Sequence, residues 1–90
     1  MPTIHLIIKG KVQGVFFRVT AKKIADKLNI SGWIKNTAEG DVEAMVTGDD
    51  EHLQQFINWC KQGSDNAKVE DVVITPEAET SFDDFKIIRG

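Results

Sequence analysis

The sequence changes from a strand pattern to a helix pattern over one stretch, Gly10-Lys11-Val12-Gln13-Gly14-Val15-Phe16-Phe17-Arg18. Before it, isoleucine and leucine alternate with other residues, which predicts a first strand near residues 3–11. After it, apolar residues recur at helical spacing, which predicts a helix over about 17–29 that is ended by Asn29. Two glycines, N–H groups without an obvious strand partner and an arginine at the helix entrance together favour an anion site.

Further strand and helix patterns follow this stretch. Strands are predicted at 32–36 and 41–47, joined by a tight hairpin in which Gly40 has positive φ. A second helix is predicted to be capped by Asp49 or Asp50 and stopped by Gly63. A fourth strand is predicted to end at Pro76, and a short last strand to include Phe82, Phe85, Ile87 and Ile88.

The resulting order of elements is β-α-β-β-α-β-β. It predicts an α+β fold of the ferredoxin-like type, with both helices on one face of a mainly antiparallel sheet and an extra C-terminal strand. Right-handed crossovers give the strand order 4-1-3-2, and a first strand that is apolar on both faces at Ile7 suits a central position. The pattern does not determine which strand the fifth one joins.

Length and composition narrow the class of protein. Ninety residues with 41% apolar and 28% charged residues predict one globular domain over 1–90. With one cysteine, no run of 18 apolar residues and no signal-peptide pattern, we expect a cytoplasmic protein that does not bind membranes. We also expect a monomer.

The charge is unevenly distributed along the chain. Residues 1–25 contain five basic and no acidic residues, whereas residues 26–90 contain fourteen acidic and six basic ones, so the net charges are +5 and −8. An acidic protein with one basic quarter is a poor nucleic-acid binder, but a local positive field can steer a small anion. Chance clustering of surface lysines is the simpler alternative.

Arg18, Gly14 and Asn36 are the candidate functional residues that the pattern suggests. A cation in the first turn of a helix opposes the helix dipole, so Arg18 gains most when an anion lies between it and the backbone N–H groups; otherwise it is a surface arginine paired with an acid. Gly14 either serves a turn with positive φ or also lets an anion approach bare backbone. Asn36, at the end of a strand, either bonds its own backbone in a turn or orients a water.

Other reactive side chains suggest no site. His5 and His52 have no flanking ligand pattern, so we predict no metal site and no cofactor. Cys60 lies on an apolar helix stripe and is predicted to be an inert core thiol. Trp33 and Trp59 are predicted to be hydrophobic anchors. The loop has no cysteine, serine or threonine, so a nucleophile is not available there for covalent catalysis.

Two strings of residues resemble the signatures of the acylphosphatase family. The first is Gly-x-Val-Gln-Gly-Val-x-Phe-Arg, which matches residues 10–18, and the second matches residues 32–43, with Ile34 as a conservative change. The resemblance extends over the whole chain. One departure is the loop Gly63-Ser64-Asp65-Asn66, where relatives often have a Gly-Pro-rich turn, and we expect this loop to lie far from the signature residues.

The resemblance implies hydrolysis of small acyl phosphates to a carboxylate and inorganic phosphate. It implies that Arg18 and the backbone of the loop Gln13, Gly14, Val15, Phe16 and Phe17 hold the phosphoryl group. It implies that Asn36 orients the attacking water, and that neither a metal nor a covalent intermediate takes part. No acyl-recognition motif is evident, so we expect loose selectivity for the acyl half of the substrate.

Two alternatives belong to other functional classes. One is a non-catalytic anion-binding module, like the acylphosphatase-like domain of larger carbamoyl-phosphate-handling maturation proteins. The other is a ferredoxin-like RNA binder, although the sequence lacks the aromatic pattern of such proteins and is acidic overall. An assay of acyl phosphate hydrolysis separates these classes.

Overall fold

The apolar spacings of the sequence produce five strands and two helices in a computed structural model that describes residues 1–89. They are β1 (Thr3–Lys11), α1 (Phe17–Lys27), β2 (Ser31–Asn36), β3 (Val42–Thr47), α2 (Asp50–Gln62), β4 (Lys68–Glu77) and β5 (Phe85–Ile87). The predicted order of elements is confirmed, with boundaries that differ by a few residues.

The five strands form one mixed sheet in the order β4-β1-β3-β2-β5. β1 pairs antiparallel with β3 and with β4, and β2 pairs antiparallel with β3. β5 runs parallel to β2 and forms the other edge of the sheet. The ferredoxin-like prediction and the 4-1-3-2 order are confirmed, and the position of the last strand, which the sequence left open, is next to β2.

The core lies between one face of the sheet and the two helices. Alternate residues of β1 and β3, such as Leu6, Ile8 and Ala44, are fully buried on this face. The helices contribute Phe17, Ala21 and Ala25 from α1 and Leu53, Phe56 and Cys60 from α2. Burial raises the pKa of the Cys60 thiol, because the thiolate loses its hydration in the core. Cys60 is therefore an inert core residue, as predicted.

Local capping residues define the helix ends. The Asp49 carboxylate accepts a hydrogen bond from the His52 N–H (2.8 Å) and caps α2, and Gly63, with φ of 78°, is the C-cap that follows Gln62. α1 ends at Lys27, slightly earlier than predicted, and Asn29 follows with φ of 55°. Gly40 has φ of 92° in the hairpin between β2 and β3, as expected.

Two predictions about the strands need correction. β4 continues through Pro76 to Glu77, because it is an edge strand in which the missing proline N–H leaves no ladder bond unmade. β5 contains only Phe85–Ile87, so Phe82 precedes it and Ile88 follows it. Trp33 is a half-buried residue of β2 whose ring lies 5.4 Å from the Lys35 ammonium, whereas Trp59 packs against Phe17 at a centroid distance of 4.9 Å.

Candidate functional site

The loop between β1 and α1 presents backbone N–H groups that the described protein does not use. Among residues 1–89, no backbone hydrogen bond has an N–H of residues 13–19 as its donor. Phe16 is the N-cap of α1 with φ of 61° and ψ of 22°, and its side chain forms no capping bond. The helix therefore begins with uncapped N–H groups and the positive end of its dipole exposed, an arrangement that favours the binding of an anion.

Gly14 leaves open space within this loop. Its φ is +72°, and a Cβ built on it would meet no atom within 4 Å. The positive φ explains why glycine is present, and the empty space around it allows a ligand to approach the backbone directly. Both of the explanations that the sequence offered for Gly14 are therefore compatible with its surroundings.

Arg18 and Asn36 line the same groove, although 17 intervening residues separate them in the sequence. The groove has a volume of about 450 Å³, and its other lining residues are Lys35, Ile88 and Arg89. α1 places Arg18 in its first turn, which contains no acidic residue, and β2 places Asn36 at its last position. No ion pair between described residues includes Arg18. The predicted pair is therefore together, with a planar cation available to a ligand.

The Asn36 amide is not used by the hairpin that follows it. Its Oδ1 is buried and has no hydrogen-bond partner among the described residues. The turn is instead closed by Thr37, whose Oγ1 accepts from the Asp41 N–H (3.1 Å) and whose carbonyl accepts from the Gly40 N–H (3.2 Å). The interpretation of Asn36 as a turn residue that bonds its own backbone is wrong. A buried amide oxygen without a partner is uncommon, and a water or ligand in the groove would satisfy it.

The Gln13 side chain ties the loop to this hairpin. Its Nε2 donates to the carbonyl of Thr37 (2.9 Å) and to that of Asp41 (2.8 Å). Only the Gln13 backbone remains available to an anion, because the side-chain amide is committed to the two carbonyls. Gln13 thereby holds the loop of Arg18 against the strand end that bears Asn36.

Replacement of Gln13 by glutamate is expected to lower the free energy of unfolding by about 2 kcal/mol, because a carboxylate would face two carbonyl oxygens without a donor. Urea unfolding followed by circular dichroism measures this loss. Gln54→Glu is the matched control, since the Gln54 amide bonds the Asn58 side chain on the exposed surface of α2. Equal losses for the two variants would show that the Gln13 contacts do not hold the loop.

Ser64 supports the same loop from another direction. Its Oγ donates to the Val15 carbonyl at 2.7 Å. The expectation that the loop at residues 63–66 lies far from the signature residues is therefore wrong. The contact joins residues 49 positions apart, and no local pattern in the sequence indicates it.

Lys35, Ile88 and Arg89 were not predicted from the sequence, although they line the groove. Lys35 directly precedes Asn36, and its position on β2 is a weak signal. Ile88 and Arg89 reach the groove because β5 lies beside β2, where the Ile88 N–H donates to the Ile34 carbonyl (2.8 Å).

The two histidines each lie beside a carboxylate outside this groove. The His5 Nε2 lies 2.6 Å from the Glu43 carboxylate, while the His52 Nδ1 lies 3.1 Å from Asp49. In the described part of the chain, no three His, Cys, Asp or Glu residues are grouped so that they could hold a metal ion. None of the described helices is long and apolar enough to cross a membrane.

Comparisons with known proteins identify the family to which the chain is similar. The family model for acylphosphatase matches residues 4–87. An acylphosphatase from Syntrophus aciditrophicus is 42% identical over 89 residues, which cover 98% of this chain and 93% of the relative. The crystal structure of acylphosphatase from Bacillus subtilis superimposes with a TM-score of 0.95 at 36% identity, covering 99% of this chain and 100% of that one.

A larger protein contains a similar unit. HypF from T. kodakarensis matches all of this chain with a TM-score of 0.83 and 28% identity, but the match covers 12% of HypF. The family model and the full-length relative span both signature strings, and the solved structure shares the fold. The chain therefore belongs to the acylphosphatase family and is a hydrolase of phosphorus-containing acid anhydrides that acts on small acyl phosphates.

Proposed function

We propose that the loop of residues 13–17 and Arg18 hold the phosphoryl group of an acyl phosphate while Asn36 orients the water that attacks phosphorus. The observation that carries this proposal is the buried Asn36 Oδ1, which lacks a partner and belongs to the same groove as Arg18. An amide oxygen in this state can accept a hydrogen bond from a water and so direct the water's lone pair.

The chemistry requires positioning and charge stabilisation. The water oxygen forms a bond to phosphorus as the bond from phosphorus to the acyl oxygen breaks, and the acyl group leaves as a carboxylate. A carboxylate is a good leaving group, so the proposal needs neither a protein nucleophile nor a metal ion. The water proton passes to a phosphoryl oxygen. Arg18 and the backbone N–H groups stabilise the negative charge of the equatorial phosphoryl oxygens.

Isotope and stereochemical experiments test the direct attack. Hydrolysis of benzoyl phosphate in ¹⁸O-water is expected to place the heavy oxygen in phosphate and none in benzoate, as mass spectrometry would show. A substrate with a chiral thiophosphoryl group that carries ¹⁶O and ¹⁸O is expected to give thiophosphate of inverted configuration when it is hydrolysed in ¹⁷O-water. Retention of configuration would demonstrate a covalent phosphoenzyme, and ¹⁸O in benzoate would demonstrate attack at carbon.

Two treatments test whether a metal ion or the Cys60 thiol takes part in the reaction. Activity is expected to survive EDTA, and it is expected to survive iodoacetamide because Cys60 is buried. Inhibition by either treatment would contradict the proposed mechanism. Tight binding of inorganic phosphate without turnover of any acyl phosphate would instead favour a non-catalytic anion-binding module.

Gly14→Ala provides a further test of the loop, and Gly40→Ala is its matched control. Both glycines have positive φ (+72° and +92°) and open space at the Cβ position, so each alanine should cost about 1 kcal/mol of stability through backbone strain. Only Gly14 belongs to the proposed phosphoryl site. We expect Gly14→Ala to lower kcat/KM by about 10- to 100-fold, because the methyl group disturbs the approach of the anion to the backbone. Steady-state kinetics that decline equally in both variants would contradict this role.

A further inference from the structure

A second groove adjoins the first one at Arg18. It has a volume of about 280 Å³, and both Arg18 and Arg89 line it as well as the groove of Asn36. Gly14 of the loop also lines the second groove, and the remaining described side chains there, those of Val12, Phe16, Phe17 and Val19, are all apolar. Among the described residues that line the first groove, only Ile88 has an apolar side chain, whereas Lys35 and Asn36 are polar. Arg18 and Arg89 therefore lie at the boundary between a polar groove and an apolar one.

Phe16 is the most exposed apolar side chain of this second groove. Its side chain is 76% exposed, and its backbone has the positive φ that phenylalanine rarely adopts. Val19, one turn into α1, is 41% exposed. Core packing does not explain either side chain, because the core of α1 is formed by Phe17, Ala21 and Ala25.

An in-line displacement relates one groove to the attacking water and the other groove to the leaving carboxylate. The attacking and leaving oxygens lie on opposite sides of phosphorus. With the phosphoryl group at Arg18 and the water at Asn36, the leaving carboxylate points away from the Asn36 groove. Of the two grooves that Arg18 lines, the apolar one does not include Asn36.

We infer that this apolar groove binds the acyl half of the substrate, and that Phe16 and Val19 favour apolar, above all aromatic, acyl groups. The inference rests on the proposed function, since the direction of the leaving group follows from the placement of the phosphoryl group and the water. It changes the expectation of loose selectivity: an aromatic acyl group can stack on the Phe16 ring, while a small or charged one leaves that ring in water. Phe16 and Val19 thus act as specificity-determining residues.

The test compares benzoyl phosphate with acetyl phosphate, which share the phosphoryl group and differ in the acyl group. The quantity measured is the ratio of the two kcat/KM values. Val19→Thr keeps the shape of the side chain and adds a hydroxyl to the groove, so we expect the benzoyl preference to fall about threefold. Val73→Thr is the matched control, because Val73 is also 41% exposed but lies on β4, outside the groove. It is expected to leave both substrates' rates unchanged.

Phe16→Asn tests the ring itself. Asparagine tolerates positive φ, so this variant removes the apolar surface while it keeps the backbone conformation. We expect the benzoyl preference to fall about tenfold. The inhibition constant of inorganic phosphate should remain the same for Val19→Thr, since the Val19 side chain is not part of the proposed phosphoryl site.

The outcomes separate this inference from the proposed function. A benzoyl preference that is unaltered in both Phe16→Asn and Val19→Thr, in protein that still hydrolyses both substrates, overturns the acyl groove alone. An equal fall in Val73→Thr also overturns it, because the effect would not be specific to the groove. Failure of the unmodified protein to hydrolyse either acyl phosphate overturns the proposed function itself.

Discussion

Replacement of Arg18 by alanine is expected to lower kcat/KM for benzoyl phosphate by about 10³- to 10⁴-fold. Arg18 lies in the first turn of α1, whose N–H groups carry the positive end of the helix dipole, and that turn contains no acidic residue. A phosphoryl group bound there would accept hydrogen bonds from the guanidinium and the backbone at once. Alanine removes the planar donor on which the transition-state charge depends, and steady-state kinetics measure the loss.

Two further variants separate this role from a general effect of charge. Lys23→Ala removes one positive charge from an exposed position of the same helix and is expected to change kcat/KM by less than about twofold. Arg18→Lys keeps the charge but loses the two-pronged donor geometry, so its activity should lie well below that of the unmodified protein. If Lys23→Ala and Arg18→Ala lowered the rate equally, long-range steering rather than contact would explain the effect.

Replacement of Asn36 by alanine is expected to have opposite effects on activity and on stability. We expect kcat to fall by about 10²- to 10³-fold, because the water loses the amide that positions it. The inhibition constant of inorganic phosphate should change little, since Asn36 is not part of the proposed phosphoryl cradle. The free energy of unfolding should stay constant or rise by up to about 1 kcal/mol, because the variant removes a buried oxygen that lacks a partner.

The neighbouring residue is the natural control for Asn36. Thr37 closes the hairpin through its hydroxyl, so Thr37→Ala should lower the free energy of unfolding by about 1 kcal/mol and leave kcat nearly unchanged. Urea unfolding and initial rates on the two variants measure both quantities. If Asn36→Ala lost stability as Thr37→Ala does while it retained its rate, Asn36 would be a structural residue of the turn.

The replacements of Arg18 and Asn36 are expected to separate phosphate binding from turnover within one groove. Arg18→Ala should weaken inhibition by inorganic phosphate, whereas Asn36→Ala should not. Gln13 links the two parts, because its amide joins the loop before Arg18 to the hairpin after Asn36. The Asn36 oxygen that is proposed to serve the reaction lacks a partner and so lowers the stability of the fold. Such a trade-off between activity and stability is common at functional sites.

Much of the fold followed from local patterns in the sequence. Alternating residues in β1, the four-residue spacing from Phe17 to Ala21 and the cap at Asp49 each act over a few positions, so their neighbours in the chain suffice to determine them. Handedness then restricted the strand order to 4-1-3-2. The three residues of β5 are too few to show a period, and their parallel pairing with β2 depends on contacts made across the chain.

The sequence by itself determined that a loop from Gly10 to Arg18 leads into a helix. It also showed the family resemblance that pairs this loop with Asn36. Only the tertiary structure decided which atoms of these residues remain available. The orphaned oxygen of Asn36, the aim of the Gln13 amide and the support of Val15 by Ser64 depend on partners 24 to 49 positions away or on the absence of one. The apolar groove at Phe16 and Val19 likewise adjoins the polar one because the packed fold brings Arg89 beside Arg18. Such contacts arise when distant segments pack against each other, and no local periodicity encodes them.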